Sequence, residues 1–230
     1  MINPQSSWRE RMAFLFQNSK IVIGIEILIV ITFQLLHVFR VIPTAAIFLV
    51  LLGWFSLWLR KNTWRSVGLS RPVNWLSTIG ISISLAIIFQ VISIWVIVPT
   101  LEKITNTPLD LRQFEVLRSN TSLFVVSIIA SWTYAAFIEE MAYRGYLLNR
   151  FKDLLGVGQF GWILATIITS VLFGLSHTYQ GISGVVDTFL AACMMAGVYF
   201  IGKRNLWLPI IVHGVKDTIG FTLIFLGLYP

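Results

Sequence analysis

Two adjacent glutamates, Glu139 and Glu140, interrupt a stretch that otherwise has the apolar composition of a membrane-spanning helix. An ionised carboxylate near the middle of a bilayer costs on the order of 3 kcal/mol, so such residues usually have a function. Arg144 lies four residues after Glu140, and on a helix these two share a face and can form an ion pair. Glu139 lies about 100° away around the helix, where it can meet groups from other helices. The pair therefore marks a candidate functional site; the alternative is that both glutamates only bind arginine and stabilise packing.

Two of the three histidines are candidates for the same site. His177 ends an apolar run, and His213 lies four residues before Asp217, which places imidazole and carboxylate on one helix face. A single buried histidine is usually a packing residue, but two of them beside buried carboxylates favour a shared polar site. His37 ends the first apolar run, and we interpret it as an incidental interfacial residue.

The expected depths of these groups in the membrane agree. At a rise of about 1.5 Å per residue, Glu139 lies about 16 Å from Arg150 and His213 about 13 Å from Arg204, and both arginines mark the same membrane edge. His177 lies at the end of its run, where the sequence becomes polar. This position predicts a short or tilted fifth span that opens into a water-filled cavity.

The elements that carry these residues are predicted to be membrane helices. The chain of 230 residues is 57% hydrophobic and only 12% charged, far from the composition of a soluble domain. We predict an all-α, polytopic helix bundle, a multi-pass integral membrane protein with about seven spans. The predicted spans are 21–39, 43–59, 76–98, 123–148, 159–177, 185–202 and 207–228.

Charge in the loops predicts the orientation. With a cytoplasmic N-terminus, eleven Lys and Arg residues fall on the cytoplasmic side and four on the other side. The predicted localisation is the cell membrane. The net charge of +7 does not indicate a nucleic-acid partner, because the basic residues lie in short loops between apolar runs. We predict an N-terminal interfacial segment (1–20), three N-terminal spans (21–98), an extracytoplasmic connection (99–122) and a four-helix core (123–229).

Three short motifs in this core resemble those of a known family. Glu139-Glu140-x-x-x-Arg144, Phe173-x-x-x-His177 and His213-x-x-x-Asp217 occur in the order found in type II CAAX prenyl endopeptidases. These belong to the wider CPBP (Abi) family of intramembrane proteases and bacteriocin self-immunity proteins. The resemblance implies a conical helix bundle around an active-site cavity. The third motif often ends in Asn, whereas this chain has Asp217, and a carboxylate cannot donate a hydrogen bond to an oxyanion unless it is protonated.

The resemblance also implies the chemistry. Glu139 would activate water with help from His177, while His213 and Asp217 would stabilise the oxyanion or bind substrate. Glu140, Arg144 and Phe173 would support these groups. The reaction would cleave a peptide bond near the C-terminus of a membrane-associated or lipidated protein. We expect this substrate to enter from the cytoplasmic side, and a prenylated protein is one candidate.

Other readings stay open at this point. No cofactor is required, but zinc held by His177, His213 and either Glu139 or Asp217 is an alternative to a metal-free glutamate mechanism. The sequence contains no Gly-x-Ser-x-Gly or His-Glu-x-x-His motif, so serine hydrolase and zincin readings lack support. A non-proteolytic immunity or scaffold protein of the same family is the main alternative function. A proton-coupled transporter is a weaker one, because the two halves show no repeat.

Overall fold

A computed structural model describes residues 7–156 and 158–229, and within these ranges the chain is all-α without strands. The helices are α1 (Trp8–Asn18), α2 (Lys20–Val38), α3 (Ala46–Leu59), α4 (Trp75–Thr105), α5 (Thr121–Leu155), α6 (Gln159–Leu175), α7 (Gly181–Ile201) and α8 (Trp207–Phe225). Short 3-10 turns occupy Trp64–Val67, Arg112–Leu117 and Thr178–Gln180. The predicted fold class is confirmed.

Five helices are long and apolar enough to cross a membrane: α2, α4, α5, α7 and α8. The other two predicted spans correspond to α3, with 14 residues, and α6, with 17. Apolar side chains also cover the outside of the bundle; Trp95 is 72% exposed and Ile88 56%. A water-facing surface does not accommodate so many large apolar groups, whereas lipid does. The chain is an integral membrane protein, and the count of seven spans stays a prediction.

The helix at the N-terminal end has the expected start signal. Ser7 Oγ accepts a hydrogen bond from the backbone N–H of Glu10, whose carboxylate accepts from the N–H of Ser7. This capping box satisfies two N–H groups that the first turn would otherwise leave without partners. Trp8 is 63% exposed, as an interfacial helix requires. The segment predicted to be interfacial thus contains a short helix, and its place at the membrane interface stays a prediction.

The fourth helix is longer than its predicted span, which ended at residue 98. It passes through a π-helical segment, Ser93–Ile97, and continues to Thr105. Pro99 lacks an N–H group and normally ends or kinks a helix, but a π-helical turn before it changes the hydrogen-bonding register. The polar connection is therefore shorter than 99–122. It ends at Asn120, whose side chain caps α5 by accepting from the N–H of Leu123.

The core lies around the middle of α5, which is π-helical over Ser131–Glu139 and Met141–Leu147. This differs from the regular α-helix assumed from the sequence. Backbone bonds from i to i+5 widen the turn, and such segments are frequent at functional sites. Helix α3 packs closely here, because a Cβ on Gly53 would lie 2.8 Å from the Tyr146 ring. The widened segment is held from several sides.

A second polar cluster, separate from the candidate catalytic residues, surrounds Glu26 of α2. Glu26 Oε2 accepts from Ser56, Tyr146 and Arg150, and Arg150 also donates to the backbone oxygen of Phe16. Arg150 has no exposed surface and lies within α5 rather than in a loop between helices. Arg60, also assigned to a loop, is only 6% exposed. Both guanidinium groups are directed into the bundle, where Glu26 offsets part of their charge.

Candidate active site

One cavity of about 410 Å³ contains the candidate catalytic side chains. It lies between α4, α5, α7, α8 and the turn before α7. Its polar lining includes the four predicted catalytic groups and the arginine of the first motif: Glu139, Arg144, His177, His213 and Asp217. The structure therefore brings the three motifs together around one space, as a shared site requires.

Glu140 lies behind this lining, fully buried. Its Oε1 accepts a hydrogen bond from Arg144 Nη1 at 2.9 Å, which is the expected pair four residues apart. The same oxygen lies 2.9 Å from His213 Nδ1, a contact between α5 and α8 that the motif spacing does not predict. Arg144 Nη2 donates to the backbone oxygen of Ala192 in α7. Glu140 and Arg144 together thus join α5, α7 and α8 behind the cavity.

His213 lies between two carboxylates. Its Nδ1 faces Glu140, and its Nε2 lies 3.6 Å from Asp217 Oδ2. Asp217 Oδ2 also accepts a hydrogen bond from Ser131 Oγ at 2.9 Å. Ser131 was not identified from the sequence, because a serine in an apolar helix carries little local signal. Asp217 here acts as an acceptor, which suits an imidazole that carries a proton on both nitrogens.

His177 is held by the chain just before it. Its Nδ1 lies 2.9 Å from the backbone oxygen of Phe173, and since a carbonyl only accepts, the proton lies on Nδ1. Nε2 is then free to accept a proton or a hydrogen bond in the cavity. The Phe173 ring packs against His177 at 4.8 Å and against the Arg144 guanidinium at 5.1 Å. Phe173 therefore separates an imidazole from a cation that would repel its protonated form.

Glu139 has a different environment from Glu140. It is half-buried, and among the described residues its carboxylate accepts no hydrogen bond. It lines the main cavity and a second one of about 160 Å³, and His177 lines both as well. The second cavity extends to the α2–α3 turn, with His37 and Thr44 in its wall. His37, interpreted as incidental, thus lies near the site.

A buried network links α2 to the site and was not predicted. Gln34 Nε2 donates to the hydroxyl of Tyr143 at 2.5 Å, Tyr143 contacts Ser176 Oγ at 3.1 Å, and Ser176 donates to Gln34 Oε1 at 2.9 Å. Ser176 directly precedes His177, and Tyr143 lies one turn after Glu139. An apolar stretch containing Gln34 was the available signal, because a buried amide needs hydrogen-bond partners.

The third motif also needs close packing between α5 and α8. A Cβ on Gly214 would lie 2.7 Å from the ring of Trp132, so no larger residue fits without movement. Trp132 Nε1 then donates to Thr218 Oγ1 at 3.0 Å, one turn further along α8. This packing fixes the side of α8 on which His213 and Asp217 lie.

The cavity extends toward the connection between α4 and α5. Leu109, Leu111 and Phe114 of that connection line it, together with Tyr229 beyond the end of α8. Loop charge places this connection outside the cytoplasm when the N-terminus is inside. The expectation of cytoplasmic entry therefore conflicts with the predicted orientation, and both cannot hold.

The zinc alternative can be compared with the side-chain arrangement. Within the described ranges, no group of three or more His, Cys, Asp or Glu side chains is arranged to hold a metal ion. The Nδ1 atoms of His177 and His213 are engaged by Phe173 and Glu140, an arrangement that leaves both Nε2 atoms available and does not by itself oppose a metal. The donor set as it stands does not fit a three-ligand zinc site, and we derive no step through a metal.

The fold and this cavity define a polytopic helical membrane protein with a polar site inside the bundle. Residues 121–219 match the Rce1-like family model, described as type II CAAX prenyl endopeptidase Rce1-like. This segment contains all three motifs, and its resemblance to that family is confirmed. It is also 28% identical over 99 residues to an Escherichia coli protein named "Uncharacterized 24.3 kDa protein". The alignment covers 42% of this chain and 43% of that protein. No solved structure matches the chain.

Proposed function

We propose that the protein is an intramembrane endopeptidase that hydrolyses a peptide bond near the C-terminus of a membrane-associated or lipidated protein. The observation that carries this proposal is the position of Glu139. Its carboxylate has no hydrogen-bonding partner among the described residues and lies where two cavities meet, and His177 lines both. A carboxylate and an imidazole that line the same cavity can together hold and deprotonate one water molecule.

The reaction follows from these positions. Glu139 takes a proton from the water as the water oxygen bonds to the carbonyl carbon of the substrate. His177 Nε2 accepts a hydrogen bond from the other O–H of the same water. His213, protonated between Glu140 and Asp217, donates its Nε2–H to the oxyanion. Protonated Glu139 then transfers its proton to the leaving nitrogen as the C–N bond breaks. Glu140 acts as a positioning residue, because it holds both His213 and Arg144.

The core proposed for catalysis is 123–229, with walls supplied by earlier helices. Gln34 of α2 and Thr44 before α3 contact Tyr143 and Tyr134 of α5. We propose that 21–98 supports the site and separates it from lipid, and that 1–20 anchors the chain at the membrane interface. Peptide or protein substrates and the lipid bilayer are the proposed partners.

Cleavage of quenched fluorescent peptides by the purified protein in liposomes tests the function. Glu139→Gln, which keeps the shape of the side chain, is expected to abolish cleavage. Glu115→Gln removes an exposed carboxylate outside the cavity and serves as the matched control. Cleavage that persists in Glu139→Gln would contradict the proposal. An immunity or scaffold protein would instead keep its protective or binding activity in this variant.

We further propose that the cavity opens on the extracytoplasmic side of the cell membrane, with the N-terminus in the cytoplasm. Arg118→Cys and Arg65→Cys, each made with Cys193→Ser, place one thiol at an exposed position on each predicted side. A maleimide that does not cross membranes should label residue 118 in intact cells, and residue 65 only after lysis. The reverse pattern would show that the cavity opens to the cytoplasm.

A further inference from the structure

A carboxylate outside the three motifs also faces the main cavity. Asp187 of α7 is only 8% exposed, and its Oδ1 accepts a hydrogen bond from Ser93 Oγ at 2.9 Å. No described cation forms an ion pair with it; the two cations that line the cavity, Arg144 and Lys216, pair with Glu140 and Asp217 instead. A buried charge in a membrane span is costly and usually has a functional partner. The proposed reaction gives this carboxylate no role.

An unsatisfied amide lies beside it on α4. Gln90 is 5% exposed and lines the same cavity, and its Oε1 has no hydrogen-bond partner within the described ranges. It precedes Ser93 by three residues, so the two side chains share a face of α4. A buried amide oxygen without a hydrogen-bond partner is unfavourable, because it has lost its hydration without replacement. The Gln90 oxygen therefore lacks a hydrogen-bond donor, and Ser93 is the one donor to Asp187 among the described residues.

Asp187 lies at a distance along α7 from the point where that helix holds Arg144 of the site. Asp187 is five residues before Ala192, whose backbone oxygen holds Arg144, a separation of about 7.5 Å along α7. An extended peptide advances about 3.3 Å per residue, so this spacing corresponds to about two residues. A substrate in the cavity can therefore reach Asp187 with a side chain near the scissile bond.

We propose that Asp187 and Gln90 form a subsite for a positively charged substrate side chain, lysine or arginine, two or three residues from the scissile bond. This inference rests on the proposed peptidase function. An ammonium or guanidinium group supplies the N–H donors that a carboxylate and an amide oxygen accept. It also offsets the uncompensated charge of Asp187. An apolar side chain supplies neither group with a further donor and leaves the charge of Asp187 uncompensated, so the subsite discriminates against it.

Matched peptides test the subsite. Three N-acetylated quenched peptides carry lysine, norleucine or glutamate at the position two residues from the cleaved bond, and a second set carries them at three. The acetyl group removes the N-terminal charge, so that the lysine side chain is the cation that the peptide brings to the site. A norleucine peptide with a free N-terminus tests whether an N-terminal ammonium replaces it. The same peptides are bound to Glu139→Gln, which separates affinity from cleavage.

The wild-type protein should favour lysine over norleucine by about 10- to 100-fold in kcat/KM, the range of one charge-assisted hydrogen bond. Asp187→Asn keeps an acceptor for Ser93 but removes the charge, and it should reduce this ratio to near one. Glu115→Gln, which loses the same charge outside the cavity, should keep the ratio. Equal cleavage of lysine and norleucine peptides, or an unchanged ratio in Asp187→Asn, would overturn the subsite.

The binding measurements distinguish the two proposals. If no peptide is cleaved but Glu139→Gln binds lysine peptides more tightly than norleucine peptides, and Asp187→Asn in that background removes the difference, the subsite stands and the peptidase function fails. If peptides are cleaved without preference, the peptidase function stands and the subsite fails. Stronger cleavage of the free N-terminus peptide than of the lysine peptide would overturn the assignment to a side chain.

Discussion

Replacing Glu140 and Glu139 by glutamine, one at a time, should change the stability of the protein by very different amounts, although the two residues are adjacent. Glu140 is fully buried and pairs with Arg144 and His213, each at 2.9 Å. Its replacement leaves Arg144, itself 3% exposed, without an anionic partner. Breaking a buried pair on one side costs about 3–5 kcal/mol. Glu139 loses no protein hydrogen bond, so its replacement should change stability by no more than about 0.5 kcal/mol.

Thermal unfolding in one detergent, followed by tryptophan fluorescence, measures this difference. For a chain of this length, each 1 kcal/mol shifts Tm by about 2–4 °C, so Glu140→Gln should unfold about 6–20 °C below the wild type. Glu139→Gln should unfold near the wild-type temperature while it fails to cleave peptides. The paired variant Glu140→Gln with Arg144→Met should recover part of the loss, because it leaves no uncompensated guanidinium.

Two outcomes would refute this reasoning. If Glu139→Gln and Glu140→Gln unfold within about 2 °C of each other, the buried carboxylate does not hold the bundle together as the geometry implies. If the paired variant loses the sum of the two single losses, Glu140 and Arg144 do not interact energetically. Arg144→Met alone provides the second single loss for this cycle.

Three further predictions concern packing, the second polar cluster and metal. Gly214→Ala should lower stability by about 1–3 kcal/mol and slow cleavage, because its Cβ would lie 2.7 Å from the Trp132 ring. Gly197→Ala is the control and should do neither, because no atom lies within 4 Å of its Cβ position. Equal effects of the two substitutions in unfolding and cleavage assays would contradict this. Arg150→Met should cost about 3–5 kcal/mol by leaving Glu26 unpaired, yet retain cleavage per folded molecule, and unchanged Tm would show that the pair is not stabilising. Prolonged treatment with a strong chelator should leave cleavage unchanged, and a loss that zinc alone restores would establish a metal mechanism.

Much of the site's local chemistry could be predicted from residue spacing. Glu140 with Arg144 and His213 with Asp217 lie four residues apart, and both pairs are found close together. Side chains four residues apart stay close together even where α5 is π-helical, because the wider turn changes their relative positions only slightly. The short fifth span was predicted from the position of His177, and α6 does end at Leu175, just before it.

The contacts between helices could not be predicted in this way. The pairing of Glu140 with His213, of Ser131 with Asp217 and of Ser93 with Asp187 joins residues far apart in the chain. Each depends on how one helix is rotated and how closely it approaches the next. Local spacing contains no such information, and close approach depends on positions such as Gly214 that appear ordinary in an apolar run.

The sequence by itself determined that the chain is a bundle of membrane helices, and it marked the charged side chains of the site, because burial of charge in lipid is too costly to occur without purpose. Only the tertiary structure decided which of those side chains face one another and at which end of the bundle the cavity opens. The physical reason is that hydrophobicity drives every span into the membrane alike, whereas the depth, rotation and contacts of each helix depend on packing and hydrogen bonds among all of them.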